Sequence, residues 1–322
     1  MSGGRGPGGG RARAVGRRRG AGGGREHEGT VVEVHGIRTT VLVHGADRRR
    51  VRCRPPRDRT KPVVGDRVRF REGRHGAVIE AIAPRVRSLW RPRERGERLM
   101  ATHVDRVLLV SAVSPPLRTG LIDRVLVATE AAEIPAVLVL NKVDLPETSR
   151  VRALLEPYEA LGYPVVEVSA ARGEGLEALR ALVGEGMSVF TGHSGVGKST
   201  LLNALVPGAG LSTRGVSEAT GRGRHTTSVT TCHEVGAPWP AGALLVDTPG
   251  VRSFGLYGLD LVEIQRGFRE LVPLAAGCRF RDCLHESEPG CAVRSAAAEG
   301  RVSAVRLESY RSLLASVRRG EG

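Results

Sequence analysis

Three short segments carry groups able to bind and cleave a nucleoside triphosphate. The first, Gly192 to Ser199, reads GHSGVGKS and fits G-x-x-x-x-G-K-[ST]. An apolar strand (MSVFT) precedes it and a helical run (STLLNALV) follows, the context that separates a phosphate loop from a chance turn. Gly192, His193, Ser194, Gly195, Val196 and Gly197 form the cradle, which runs through Lys198 and Ser199 to Thr200 at the start of the helix. Its backbone N–H groups converge on phosphate at the positive end of that helix. Lys198 is expected to reach the β and γ phosphates, and the Ser199 hydroxyl to bind magnesium.

The second segment, NKVD, selects the base. Asn141 to Asp144 follow the buried run PAVLVL, which places them at the carboxyl end of a strand, where ligands sit in such sheets. The Asp144 carboxylate can accept two hydrogen bonds from guanine N1 and N2, which adenine does not offer. Lys142 can lay its stem across the base, and Asn141 can tie this loop to the phosphate loop. A polar turn explains NKVD alone but is a poor account of it beside GKS. Ser169 and Ala170, closing the strand PVVEVSA, suit the short loop that backs guanine. The third segment, DTPG, ends another apolar strand: Asp247 can hold magnesium through water, and the Gly250 N–H can sense the γ-phosphate. Between it and the phosphate loop lies GRGRHTTS, in which Thr226 or Thr227 is placed to close over magnesium.

These motifs run in the order NKVD, SA, GKS, TT, DTPG, a circular permutation of the usual GTPase order. A parallel sheet tolerates it because each motif needs its place at a strand end, not its rank in the chain. The segment after DTPG, which responds to the γ-phosphate, then leads straight into the C-terminal region. There CRFRDCLHESEPGC groups Cys278, Cys283, His285 and Cys291. Three thiolates and an imidazole within fourteen residues fit a closed, structural zinc site with no position left for water. The alternative is a disulfide with a stray cysteine, which redox-compartment logic disfavours in a cytoplasmic protein.

The elements that must position these groups divide the 322 residues into four parts. Residues 1–28 form a Gly/Arg tail with almost no apolar content, expected to be disordered. Residues 29–87 read as five short alternating strands, a small antiparallel barrel of the oligonucleotide-binding (OB) type. Residues 88–255 begin with a charged connector, SLWRPRERGERLMATH, and then alternate apolar strands with helices near 119–132, 148–161 and 175–183: an α/β sheet buried on both faces. Residues 256–322 form a mainly helical lobe around the cysteine cluster.

The net charge of +15 points to an anionic partner, and nucleic acid is the commonest. Only Lys61, Lys142 and Lys198 are lysine, so an arginine-biased composition inflates that signal; two of the three nevertheless fall inside the strongest motifs. In the barrel Phe70 is the only aromatic residue, so arginine contacts to a phosphate backbone are expected rather than base stacking. No apolar run is long enough for a membrane span and no signal-peptide pattern opens the chain, so a cytoplasmic protein, expected to be a monomer, is the default.

Taken together, VGDRV in the barrel, the permuted NKVD, GHSGVGKST, GRGRHTT and DTPGVR motifs, and the C-x-x-x-x-C-x-H-x-x-x-x-x-C cluster ending in EPGC resemble the ribosome small-subunit-dependent GTPase A (RsgA, YjeQ) family over about residues 29–318. The resemblance implies a late assembly factor that binds the small ribosomal subunit and its rRNA, checks the decoding region, and hydrolyses GTP to GDP to release. Val251 follows DTPG where many GTPases carry glutamine, so slow intrinsic hydrolysis is expected. His225 is the nearest candidate to orient the attacking water, with a solvated or RNA-facing histidine as the alternative. Two other functions fit the residues: a permuted GTPase acting on a different RNA or ribonucleoprotein, and a nucleotide-gated RNA-binding module with negligible turnover.

Overall fold

The structure is a computed structural model that describes residues 24–56, 58, 60–92, 97–206, 230–237, 239–248, 254–256 and 258–320. Five strands open the chain: β1 (Arg25–His35), β2 (Arg38–Val43), β3 (Arg50–Arg54), β4 (Arg67–Gly73) and β5 (Gly76–Ile82). They pair in the order β1-β2-β3-β5-β4, and a β1–β4 ladder from Arg25↔Glu72 to Thr30↔Arg67 closes the barrel. Alternation sets its inside: Val68 and Phe70 point into a core with Val31, Val41 and Ile79, while Arg67 and Arg69 face out.

β1 starts inside the segment expected to be a tail. Arg25, Glu26, His27 and Glu28 carry no apolar alternation, yet the β4 backbone holds them in the closing ladder. The His27 ring also stacks on Phe70, centroids 5.4 Å apart. The connector is likewise structured: β6 (Leu89–Pro92) and β7 (Glu97–Ala101) form a two-stranded hairpin, tied to the barrel by a Val64↔Ala101 bridge.

The α/β region contains β8 (Arg106–Ala112), α1 (Thr119–Ala131), β9 (Ala136–Asn141), α2 (Thr148–Ala153), α3 (Glu156–Ala160), β10 (Val165–Val168), α4 (Leu176–Val183), β11 (Met187–Thr191), α5 (Lys198–Leu205), β12 (Thr231–Glu234) and β13 (Leu244–Asp247). Its sheet order is β10-β9-β8-β11-β13-β12, parallel except for β12. All six residues of β9 are buried, as a strand covered on both faces requires. β12 also pairs antiparallel with β1 through Glu33↔Thr231, so the sheet continues into the barrel. The helix expected over 148–161 is two short helices, because Pro157 lacks the N–H that would continue α2; it sits instead in the first turn of α3, where no such bond is needed.

Four helices complete the described chain: α6 (Leu261–Arg266), α7 (Val272–Ala275), α8 (Ala292–Ala298) and α9 (Ala304–Arg318). A reciprocal capping box starts α6, with Glu263 N–H donating to Asp260 Oδ1 (2.7 Å) and Asp260 N–H to Glu263 Oε2 (2.7 Å). Ile264, Phe268, Tyr310 and Leu314 pack on Val127 of α1, so this lobe shares a core with the α/β region. Gly267 permits the approach: a Cβ there would lie 2.8 Å from the Val127 Cα.

A buried ionic junction pins the same contact. Arg306 of α9 donates from Nη1 to Asp123 of α1, and its Nε and Nη2 reach Glu270 at 2.7 and 2.9 Å. The guanidinium lies 4.6 Å from the Phe268 ring centroid and 5.1 Å from that of Tyr158, whose hydroxyl donates to Asp123 at 2.7 Å. Among the described residues, no helix is long and apolar enough to cross a membrane.

Candidate functional site

The carboxyl ends of β9, β10, β11 and β13 bring the three motifs to one edge of the sheet. Between β11 and α5 the phosphate loop turns at Gly197, with φ +90°, where a Cβ would meet Asn141 Nδ2 at 2.4 Å. Only glycine accommodates both the backbone and its neighbour there. Lys198 opens α5 and folds back over the loop, its Nζ donating to the Gly192 and His193 carbonyls at 2.7 and 2.9 Å.

Burial pushes the Lys198 ammonium below its ordinary pKa, opposed by the nearby Asp247 carboxylate. Asp247, at the end of β13, is also buried; burial raises its pKa, and Lys198 and the Thr248 backbone N–H counteract that. Such a pair is suited to a triphosphate and a divalent cation, which supply the missing counter-charges together. His193 turns away, with Nδ1 2.7 Å from the Ser194 carbonyl oxygen.

Asn141 joins the three loops. It is 1% exposed; its Nδ2 donates to the Val196 carbonyl at 2.8 Å, and its Oδ1 accepts from the Ala170 N–H at 3.1 Å. Lys142 adopts the left-handed region (φ +63°), and its Nζ donates to the Ser114 and Gly195 carbonyls at 2.6 and 2.8 Å, spanning from the loop after β8 to the phosphate loop. The Asp144 carboxylate accepts from Ser169 Oγ at 2.6 Å, and that hydroxyl is the main reason its pKa falls below the usual carboxylate value. Asp144 is thereby kept ionised and acceptor-only, a form able to take two N–H bonds at once.

Of the residues singled out in the sequence, Asn141, Lys142, Asp144, Ser169, Ala170, Gly192 to Thr200 and Asp247 lie along this edge. His225, Thr226, Thr227, Gly250 and Val251 lie outside the described residues. Two contributors were given no role in the sequence, although one of them lies within DTPG. The Ser114 carbonyl acts through its backbone, and Thr248, whose Oγ1 donates to the Phe190 carbonyl at 2.7 Å, fastens the end of β13 to β11.

The second centre is in the C-terminal lobe. One ligand atom each from Cys278, Cys283, His285 and Cys291 lies within 4.8 Å of the others, so the four can hold one metal ion. His285 Nδ1 is 3.3 Å from Cys291 Sγ and 3.6 Å from Cys278 Sγ. Its Nε2 lies 2.9 Å from the Gln265 side-chain amide nitrogen; with that amide turned over, Oε1 accepts the Nε2 proton, the outer support a metal-bound Nδ1 needs. Glu288 shapes the loop by accepting N–H bonds from Leu284, Glu286 and Ser287 at 2.7, 2.9 and 3.0 Å. Burial pushes the Cys283 thiol up to about 12, so a thiolate there requires a cation.

Comparison with known proteins agrees with this arrangement. The RsgA GTPase family model matches residues 82–257. The chain is similar to the small ribosomal subunit biogenesis GTPase RsgA of Actinobacillus pleuropneumoniae serotype 5b (strain L20), 43% identical over 274 residues that cover 82% of this chain and 78% of that protein. Its counterpart in Haemophilus influenzae (strain PittGG) is 40% identical over 303 residues, 91% of this chain and 86% of the relative. Among solved structures, YjeQ from Thermotoga maritima superposes with a TM-score of 0.74 at 32% identity, covering 91% of this chain and 98% of that one. YloQ, described as a circularly permuted GTPase, gives 0.71 at 26% identity, with 94% and 98% covered. Together with the permuted loops tied by Asn141, these matches show that the chain belongs to the RsgA GTPase family.

Proposed function

We propose that this protein binds the small ribosomal subunit late in its maturation and hydrolyses GTP to GDP and phosphate in response to it. The observation that carries the reading is the cross-tie of Asn141 between the guanine-type loop and the phosphate loop, in a chain whose relatives are named for small-subunit biogenesis. Asp144, kept ionised by Ser169, selects guanine, and Lys142 braces the base loop against the phosphate loop. Lys198 exchanges its two carbonyl partners for phosphate oxygens as nucleotide enters. Ser199 and Asp247, with Thr226 or Thr227, hold magnesium, which when bound neutralises charge on the transferred phosphoryl group.

With Val251 after DTPG, no glutamine orients water at that position, and His225 takes this role on the subunit. The outward arginines of the barrel, Arg67 and Arg69 among them, contact the rRNA backbone. The Cys3His cluster holds one zinc ion, since three thiolates and an imidazole in a closed set select zinc. The protein acts as a monomer in the cytoplasm.

Phosphate release measured with purified small and large subunits tests this reading. Small subunits are expected to accelerate hydrolysis by orders of magnitude, and large subunits far less. Equal stimulation by both redirects the enzyme to another ribonucleoprotein. Tight GTP binding with no release on either subunit leaves only a nucleotide-gated RNA-binding module. His225→Ala should lower stimulated kcat and leave GTP affinity intact; full stimulated turnover in that variant removes the histidine from catalysis.

A further inference from the structure

One edge of β1 changes partner along its length. Residues 25–30 pair with β4 and close the barrel, the register against β2 slips between Val31 and Glu33, and Glu33 then pairs with Thr231 of β12. A bulge bends a strand and increases its twist, so the slip steers β1 from the barrel toward the α/β sheet. Val31 and Val32 are both fully buried, but in different places: Val31 in the barrel, Val32 in the core of the α/β region with Cys232, Leu244 and Val246. The junction is packed as a protein interior, which transmits strain rather than absorbing it.

That junction leads to the carboxylate of DTPG. Thr231 pairs with Glu33 on one side and with Asp247 of β13 on the other, so Glu33, Thr231 and Asp247 form one row across three strands. At about 4.8 Å per strand, the row brings the barrel to within about 10 Å of the Asp247 backbone. The far end of β12 is held as well. Arg48, between β2 and β3, donates from Nε to Glu234 at 2.6 Å. The barrel therefore grips the strand Thr231–Glu234 at its first and its last residue, and Asp247 lies opposite the first.

We propose that Arg48 and Glu234 are positioning residues for GTP hydrolysis: β12, clamped at both ends by the barrel, sets the Asp247 carboxylate for magnesium. This rests on the reading of Asp247 as a magnesium-binding residue and of the barrel as a part that meets the subunit. A misplacement of about 1 Å at a reacting centre can cost about a hundredfold in rate, so a small movement of the barrel on its partner is enough to control turnover. Linkage makes the coupling reciprocal, so magnesium bound at Asp247 must favour the same position of the barrel. That reciprocal effect is measurable without a ribosome.

The test uses the full chain with a non-hydrolysable GTP analogue, with and without magnesium, and follows backbone hydrogen exchange by mass spectrometry. Adding magnesium should slow exchange severalfold in residues 31–35 of β1, on the barrel side of the junction, as well as in β12. In Arg48→Glu and in Glu234→Arg, each of which sets like charges against each other, the β1 response should be lost. Arg48→Glu combined with Glu234→Arg restores opposite charges and should restore the response. Both side chains are partly exposed, so the variants keep the fold, and unchanged exchange in β8, β9 and β11 verifies it. A pair that only stabilised the fold would lower stability and leave the β1 response to magnesium intact. With small subunits at one fixed magnesium concentration, stimulated kcat should fall about fivefold in each single variant, the upper end for an ion pair of this exposure, and recover in the double one. No β1 response in the parent, a response that persists in both single variants, or a double variant that does not regain it would overturn the proposal. Small subunits that fail to stimulate the parent, while the magnesium response follows the charges, would support the positioning pair and overturn the subunit reading alone.

Discussion

Replacing Arg306 by alanine should detach the C-terminal lobe from α1. Arg306 is 3% exposed and Asp123 is fully buried, so truncation leaves the aspartate charge in the interior with only the Tyr158 hydroxyl as partner. Removing one member of a buried pair costs about 3–5 kcal/mol, most of it from the stranded charge. The guanidinium also fills the space between Phe268 and Tyr158, so the lost packing places the effect toward the upper end of that range. If this is the cause, neutralising the stranded group should recover stability: Arg306→Met with Asp123→Asn keeps an acceptor for Tyr158 and removes the Arg306 and Asp123 charges. The third member, the partly exposed Glu270, loses its partner equally in both variants. The double variant should be at least about 2 kcal/mol more stable than Arg306→Ala, since whole-pair replacement is often close to neutral. Urea unfolding followed by tryptophan fluorescence measures the stabilities, and hydrogen exchange in α1 and α9 locates the change. An Arg306→Ala loss under about 1 kcal/mol, or a double variant no better than the single one, would refute the reasoning.

Three further outcomes are expected. Asp144→Asn should weaken GTP binding and improve xanthosine triphosphate binding, because an amide complements the extra carbonyl; competition binding measures it, and an unchanged preference for GTP takes NKVD out of the base site. Purified protein should contain one zinc per chain, and chelation should loosen the lobe that contains α8 before the α/β sheet; elemental analysis with calorimetry checks this, and a metal-free, fully folded preparation contradicts it. His103 should make stability depend on pH: its folded pKa lies below the ordinary 6.5, so its contribution is present above that value and lost as pH falls through the folded pKa. His103→Asn should therefore flatten part of the stability profile on the acid side of neutrality; an identical profile in the variant counts against this.

The residues that meet at the ends of β9, β10, β11 and β13 stand out in the sequence because their types are constrained where they lie: a glycine where Asn141 crowds the backbone, a lysine folded over the loop carbonyls, an aspartate held as an acceptor by Ser169. The cysteine cluster was readable for the same reason, since four soft ligands in fourteen residues have few other uses. The hairpin β6–β7 was not, because Leu89 to Ala101 is short and charged and owes its strands to pairing with each other. The first residues of β1 carry no periodicity because one polar ladder with β4 holds them. Arg306 could not be told from its many arginine neighbours in composition, and its meaning appears only when α9 meets α1 183 residues away. His103 gave no cue either, since its burial depends on how two separately coded regions meet.

The permuted order also sets the sequence of assembly on the ribosome that makes this chain. β8, β9 and β10 are consecutive in sequence and adjacent in the sheet, so the base-recognition half can pair as soon as it emerges, before β11 and the phosphate loop exist. β13 then adds beside β11, and β12 beside β13. The final closure is Glu33↔Thr231, which joins the first strand synthesised to one of the last. It spans the longest loop of any strand pairing in the described fold, so its closure carries the largest loop entropy among them. A nascent chain therefore holds a finished barrel and a half-built sheet as separate units, and they become one continuous sheet only after the segment between the phosphate loop and β12 has been made.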